Sequence, residues 1–65
     1  MEAEREANDL VERSRQLLDS MHTEDKEEAI ELHERIQAAI SSNDPEALKK
    51  ATAALRELLF FVEGH

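Results

Sequence analysis

Three segments of the chain repeat apolar residues at intervals of three and four positions. This spacing places the apolar residues on one face of a helix and is typical of amphipathic helices packed against a core. The predicted helices cover about residues 2–20, 24–41 and 45–63. Their inward-facing positions are Ala3, Ala7, Leu10, Ser14, Leu17 and Met21; then Ala29, Ile30, His33, Ile36 and Ile40; then Leu48, Thr52, Leu55, Leu59 and Val62. Ser14 is the one weak point of the first face. Neighbouring apolar residues widen these faces: Val11 and Leu18 in the first helix, Leu32 and Ala39 in the second, and Ala51 and Leu58 in the third.

The connection between the second and third predicted helices carries the clearest boundary signal. Asp44 is a good N-cap, and Pro45 fits the first helical position, where its missing N–H group has no partner to lose. Glu46 then places a negative charge in the first turn, which the helix dipole favours. A connection this short predicts an antiparallel helical hairpin.

The remaining boundaries rest on weaker signals. Thr23 is the expected N-cap of the second helix, with Glu24 and Asp25 in its first turn. Gly64 is the expected left-handed residue that ends the third helix.

The composition limits the fold class. The chain has 65 residues, one glycine, one proline, two phenylalanines and no cysteine, tyrosine or tryptophan. Strand-rich folds need more turn glycines and more β-branched and aromatic residues. We therefore expect an all-α, antiparallel three-helix bundle that forms one domain. A core this small gains from a partner or from self-association, so the chain is interpreted as a fragment of a larger protein.

The net charge of −8 narrows the range of partners. Phosphates and anionic membrane surfaces would repel such a chain, so neither nucleic acid nor membrane is an expected partner. The sequence contains no apolar run of about 20 residues and no basic, apolar start typical of a signal peptide. The expected location is the cytoplasm.

The histidines and the acidic run do not have the spacing of a metal site. His33 has no second histidine four residues away, and His22 and His65 have no ligand-type neighbours. His33 is interpreted as a boundary histidine beside the core. The acidic run of residues 24–34 reads as a solvated helix face, with Glu31 and Arg35 placed for a favourable pair. We expect no metal, cofactor or catalytic residue, since no serine has a base at a recognisable spacing.

Residues 58–62 form five consecutive apolar positions, which extend around the whole helix. One core cannot bury all of them, so some of Leu58, Phe60 and Phe61 must face outward. These side chains either cover the open end of the bundle or form an exposed patch for self-association or docking.

Three short segments resemble the C-terminal helical lid of the seventy-kilodalton heat-shock chaperones, the DnaK-like family. Residues 7–11 look like the middle of the long lid helix, and residues 23–26 look like the start of the next bundle helix. Residues 42–48 resemble the hairpin before the following helix. Together these segments extend the resemblance over roughly residues 4–59.

The resemblance implies a mechanical role. In that family the lid closes over a β-sandwich that holds an unfolded client, and ATP binding in another domain opens it. An aspartate and a histidine on the long helix can latch the lid to the sandwich, and their places fall at Asn8 and Glu12 here. Neither position keeps the family residue, and Asp9 could supply the acid only if the helix turned slightly. The stretch between Leu18 and Thr23 also looks about four residues shorter than is usual.

Two rivals to the lid hypothesis remain. One is a stand-alone helical interaction module or adaptor, whose Phe60–Phe61 patch or acidic face meets a partner. The other is a metal or cofactor-binding bundle, which the absence of ligand spacing disfavours.

The apolar run on a small core also predicts that the isolated chain associates with itself. Sedimentation over a range of protein concentrations should show species larger than a monomer. A strict monomer at high concentration would contradict this prediction.

Overall fold

A computed structural model describes residues 2–64 as three helices packed against one another. Helix α1 spans Glu2–Leu17, and a short 3₁₀ turn, Leu18–Ser20, follows it. Helix α2 spans Thr23–Ser41 and helix α3 spans Pro45–Glu63. All three helices contact each other, and the α2–α3 pair has the largest interface. The prediction of an all-α three-helix bundle is confirmed.

The turn between α2 and α3 combines a helix stop with a helix start. Asn43 has a φ of 57°, and its N–H donates to the Ile40 carbonyl with an N···O distance of 3.1 Å. The N–H of Asp44 donates to the Ala39 carbonyl at 2.9 Å. These two bonds form a Schellman motif, which satisfies carbonyls that the helix end leaves open. The Asp44 carboxylate then accepts from the Ala47 N–H at 3.1 Å, and Pro45 occupies the first turn of α3, as predicted.

Two predicted boundaries are wrong. The N–H of Lys26 donates to the His22 carbonyl at 2.8 Å, so the first helical ring begins at His22 and Thr23 is already inside α2. The His22 side chain makes no capping bond. Gly64 has a φ of −75° and its N–H bonds to the Phe60 carbonyl, so it continues the right-handed turn. Among residues 2–64, the positive φ belongs to Asn43, where no left-handed residue was predicted.

Helix α1 is also shorter than predicted. Its α-helical bonds stop at Leu17, and the Ser20 hydroxyl donates to the Leu17 carbonyl at 3.1 Å. Met21 then takes an extended conformation and is buried. Met21 thus belongs to the core although it lies in the short connection between α1 and α2.

The core follows the predicted faces together with several of the positions that widen them. Val11 and Leu32 are buried, whereas Ala3 and Ile30 are exposed. Ala3 shares the face of the buried Ala7 but lies in the first turn of α1. Ile30 lies about 160° around α2 from Leu32, at the opposite edge of the apolar face. The buried apolar residues are Ala7, Val11, Met21, Ala29, Leu32, Ile36, Ala39, Leu48, Ala51, Leu55, Leu58 and Leu59.

Two ion pairs join α1 to α3 on the surface. Arg56 pairs with Glu6 at 2.6 Å, and Arg13 pairs with Glu63 through two N···O contacts of 2.7 and 3.0 Å. The partners on each helix are seven positions apart, about 10 Å along the axis, so both contacts require the same parallel register. Exposed pairs of this kind contribute at most about 1 kcal/mol each, and their main effect is to select that register.

Replacing Leu55 with aspartate should unfold the bundle. Leu55 is fully buried at the centre of the α3 stripe, so the change removes packing and leaves an unpaired buried charge. Such changes cost about 3–5 kcal/mol, comparable to the whole stability of a small domain. A thermal melt followed by circular dichroism should lose its cooperative transition.

The matched control is Ala53→Asp on the exposed side of the same helix. It carries the same charge and should lower stability by no more than about 1 kcal/mol. An unchanged melt for Leu55→Asp would mean that the assigned inner face of α3 is incorrect.

Candidate functional site

Within residues 2–64, one buried side-chain hydrogen bond joins two helices. The ring Nε2 of His33 on α2 lies 2.7 Å from the hydroxyl of Ser14 on α1. Ser14 has no solvent exposure and His33 is almost fully buried. Depending on the tautomer, the ring N–H donates to the hydroxyl oxygen or the hydroxyl donates to Nε2. The serine that looked like a defect in the α1 stripe is therefore the partner of the histidine, which lies deeper than a boundary position.

The pKa of His33 is lowered, first by burial and second by the positive charge of Arg15. Both causes disfavour the imidazolium, so the buried ring is neutral near pH 7. A serine and a neutral histidine at hydrogen-bond distance resemble the first two members of a nucleophilic triad. Because no substrate can reach a fully buried Ser14, this pair acts as a structural contact in the folded bundle. No carboxylate among residues 2–64 bonds to the ring.

The other candidate ligands are dispersed. Within residues 2–64, no three His, Cys, Asp or Glu side chains converge on a point that could hold a metal ion. His65 lies outside the described residues. Most of the acidic run is exposed on α2, where Glu31 pairs with Arg35 at 3.2 Å as predicted. In the described part of the chain, no helix is long and apolar enough to cross a membrane.

The apolar run at the end of α3 divides between core and surface. Leu58 is buried with Leu59, so it does not belong to an exposed patch. Phe60 is 81% exposed and Phe61 is 54% exposed. The expectation that some of these side chains face outward is confirmed, and the candidate self-association patch reduces to the two phenylalanines.

Phe61 lines a groove at the end of the bundle where α1 passes into α2 and α3 finishes. We call it the end groove. Its volume is about 600 Å³, within the range of about 300–1,000 Å³ found for ligand clefts. Phe60 lies on a different side of α3 and does not line it. The lining residues are Leu17, Ser20, Met21, His22, Asp25, Phe61, Val62 and Glu63.

The candidate latch positions lie together on the surface of α1. Asn8, Asp9 and Glu12 are all exposed. Asn8 and Glu12 are four residues apart, so their side chains share one face of the helix. These positions are available to another domain, and none of them belongs to the core.

Comparisons with models of known protein families, with curated proteins and with solved structures found no match to this chain.

One signal could have revealed the buried polar contact from the sequence. Ser14 and His33 are the polar residues on the apolar faces of α1 and α2, and two such residues on neighbouring helices can satisfy each other. The end groove had no comparable signal. Its walls come from the start of α2 and the end of α3, which are far apart in the sequence.

Stability should fall as the pH drops below about 6.5, the pKa of an unperturbed histidine. The folded-state pKa of His33 is below that value, so the unfolded chain binds more protons in the interval between the two. The contribution of neutral His33 to the free energy of unfolding is therefore complete above about pH 6.5. It is lost as the pH falls, by at most about 1.4 kcal/mol per pH unit. Urea melts between pH 7 and pH 5 would measure this slope.

The double variant Ser14→Ala with His33→Leu removes both partners and should flatten the slope in this interval. The variant His22→Asn removes an exposed histidine and should keep it. Equal slopes for wild type and the double variant would exclude His33 as the titrating group.

Proposed function

We propose that this chain is the helical lid of a DnaK-like chaperone, without catalytic activity of its own. Its partners are then the client-binding domain of the same full-length chaperone and the unfolded clients held there. An ATPase domain elsewhere in that protein drives the lid, and the cytoplasm is the corresponding location. The chain binds no cofactor in this proposal.

The observation that carries the proposal is the order of the lid-like segments within one folded bundle. The segment at residues 23–26 begins α2, and the segment at residues 42–48 forms the α2–α3 turn with its Asp44 cap. Residues 7–11 lie within α1. This order of the three segments along the bundle is the support for the proposal.

A lid acts by moving as a rigid body. It slows the exit of a bound peptide only if it remains folded while the domain interface opens and closes. The Schellman turn between α2 and α3, the buried Ser14–His33 contact and the two α1–α3 ion pairs all favour a single arrangement of the helices. In this proposal the energy that moves the lid comes from nucleotide binding in the ATPase domain, which lies outside the bundle.

The latch differs from the family pattern. Asn8 and Glu12 lack the acid and the imidazole that can hold the lid closed, although both side chains are exposed on one face of α1. We therefore propose a lid with weaker closure, in which residence time depends on the rest of the interface.

The test is to fuse the chain behind a lidless DnaK-like client-binding domain and to measure the release rate of a fluorescent apolar peptide. Release should be severalfold slower than from the lidless domain. The double variant Asn8→Asp with Glu12→His restores both family residues and should slow release further, because it supplies a charged pair for the latch.

Two controls accompany the fusion. The unfolded Leu55→Asp version should release the peptide as fast as the lidless domain. The variant Glu46→Gln changes an exposed acid in α3 and should behave like the unmodified fusion. If neither the chain nor its restored-latch variant slows release, the chain is better explained as a stand-alone interaction module.

A further inference from the structure

The end groove differs chemically from the rest of the surface. Half of its lining residues are apolar: Leu17, Met21, Phe61 and Val62. The lining also includes two acidic residues, Asp25 and Glu63. Glu63 is paired with Arg13, whereas Asp25 makes no ion pair within residues 2–64. The groove therefore offers apolar contact next to a carboxylate that has no ion-pair partner among these residues.

The negative charge of the protein is concentrated at this end. Residues 17–28 and 58–64 contain six acidic side chains and one basic side chain, Lys26, which accounts for −5 of the formal −8. The opposite end, residues 2–6 and 38–50, contains five acidic and three basic side chains. The acidic side chains of the groove end are Asp19, Glu24, Asp25, Glu27, Glu28 and Glu63.

Helix ends of both polarities lie near the groove, since α1 and α3 finish there and α2 begins there. Helix α3 finishes beside the groove with no basic residue in its last turn, so the negative end of its dipole is not compensated from within the helix. Helix α1 and the 3₁₀ turn also direct their carbonyl ends toward this part of the bundle. The N-terminus of α2 also lies at this end, and the positive end of its dipole opposes these carbonyl ends. The favourable charge for a cation over the groove therefore comes from the acidic side chains.

We propose that the end groove binds a peptide segment that carries apolar side chains next to lysine or arginine. The apolar side chains would pack against Phe61, Met21 and Val62, and a lysine or arginine would pair with Asp25. A groove of this volume takes a few side chains of such a segment. The inference is independent of the lid role, because these residues lie outside the latch positions.

The charge distribution argues against a second copy of this chain as the occupant. Two copies that meet at their groove ends would bring together two formal charges of −5, which repel at low salt. Self-association through the outward-facing Phe60 does not require the groove. The same field repels nucleic acid and anionic lipid.

The experiment uses the full chain and three labelled peptides of about 14 residues, a length that can become helical on binding. The first contains leucine at helical spacing with lysine at the remaining positions. The second replaces every lysine with glutamate, and the third replaces every leucine with serine. Fluorescence anisotropy should show binding of the leucine–lysine peptide, and the other two should bind at least about tenfold more weakly.

Paired variants locate the binding surface. Phe61→Ser should weaken binding by about tenfold, whereas Phe60→Ser removes the same side chain from the adjacent position outside the groove and should change little. Asp25→Asn should weaken binding and reduce its salt dependence. Glu46→Gln makes the same change in net charge at the opposite end and should leave both unchanged. Circular dichroism would verify that each variant is folded.

The outcomes separate the alternatives. The proposal is supported if Phe61→Ser and Asp25→Asn weaken binding. The control variants Phe60→Ser and Glu46→Gln must retain it. Equal effects of Phe60→Ser and Phe61→Ser, or of Asp25→Asn and Glu46→Gln, would mean nonspecific adhesion to an acidic protein and would overturn it. The proposal would also be overturned if the leucine–lysine peptide did not bind. The same holds if the chain formed a dimer that dissociated only in the Phe61→Ser variant.

Discussion

The turn between α2 and α3 is the constraint on which the other contacts depend. Asn43 ends α2 in the left-handed conformation. The N–H of Asp44 donates to a carbonyl at the end of α2, and its carboxylate caps the start of α3. Because one residue takes part in both motifs, the two helices reverse direction with almost no free chain between them. The α2–α3 pair then forms the largest interface of the bundle, and α1 packs against both of these helices.

Helix α1 is held by contacts of a different kind. Its apolar stripe is short and contains Ser14, so part of its attachment is polar. The bond to His33 fixes α1 against α2 inside the core, and the ion pairs with α3 fix its register outside. Buried polar contacts add little net stability but are costly to break, which favours one arrangement over sliding alternatives. Thr52, whose hydroxyl has no partner among the described residues, contributes no such selectivity.

The apolar run at the end of α3 contributes to the core and to two different surfaces. The apolar run of α3 looked like one patch, but the helix directs Leu58 inward, Phe61 into the end groove and Phe60 outward. Successive helical residues point about 100° apart, so adjacent phenylalanines serve different surfaces. The lid proposal uses a third surface, the exposed face of α1 with Asn8 and Glu12.

Local signals were sufficient for the helices and for the Asp44–Pro45 start, since periodicity and capping depend on residues within one or two turns. They were insufficient at Thr23, Gly64 and Asn43, where several residue types are compatible with the same backbone and hydrogen bonding in the folded chain selects among them. The pairing of Ser14 with His33 and the end groove depend on how the helices dock. Each joins residues from elements far apart in the sequence, and only tertiary packing brings such residues together.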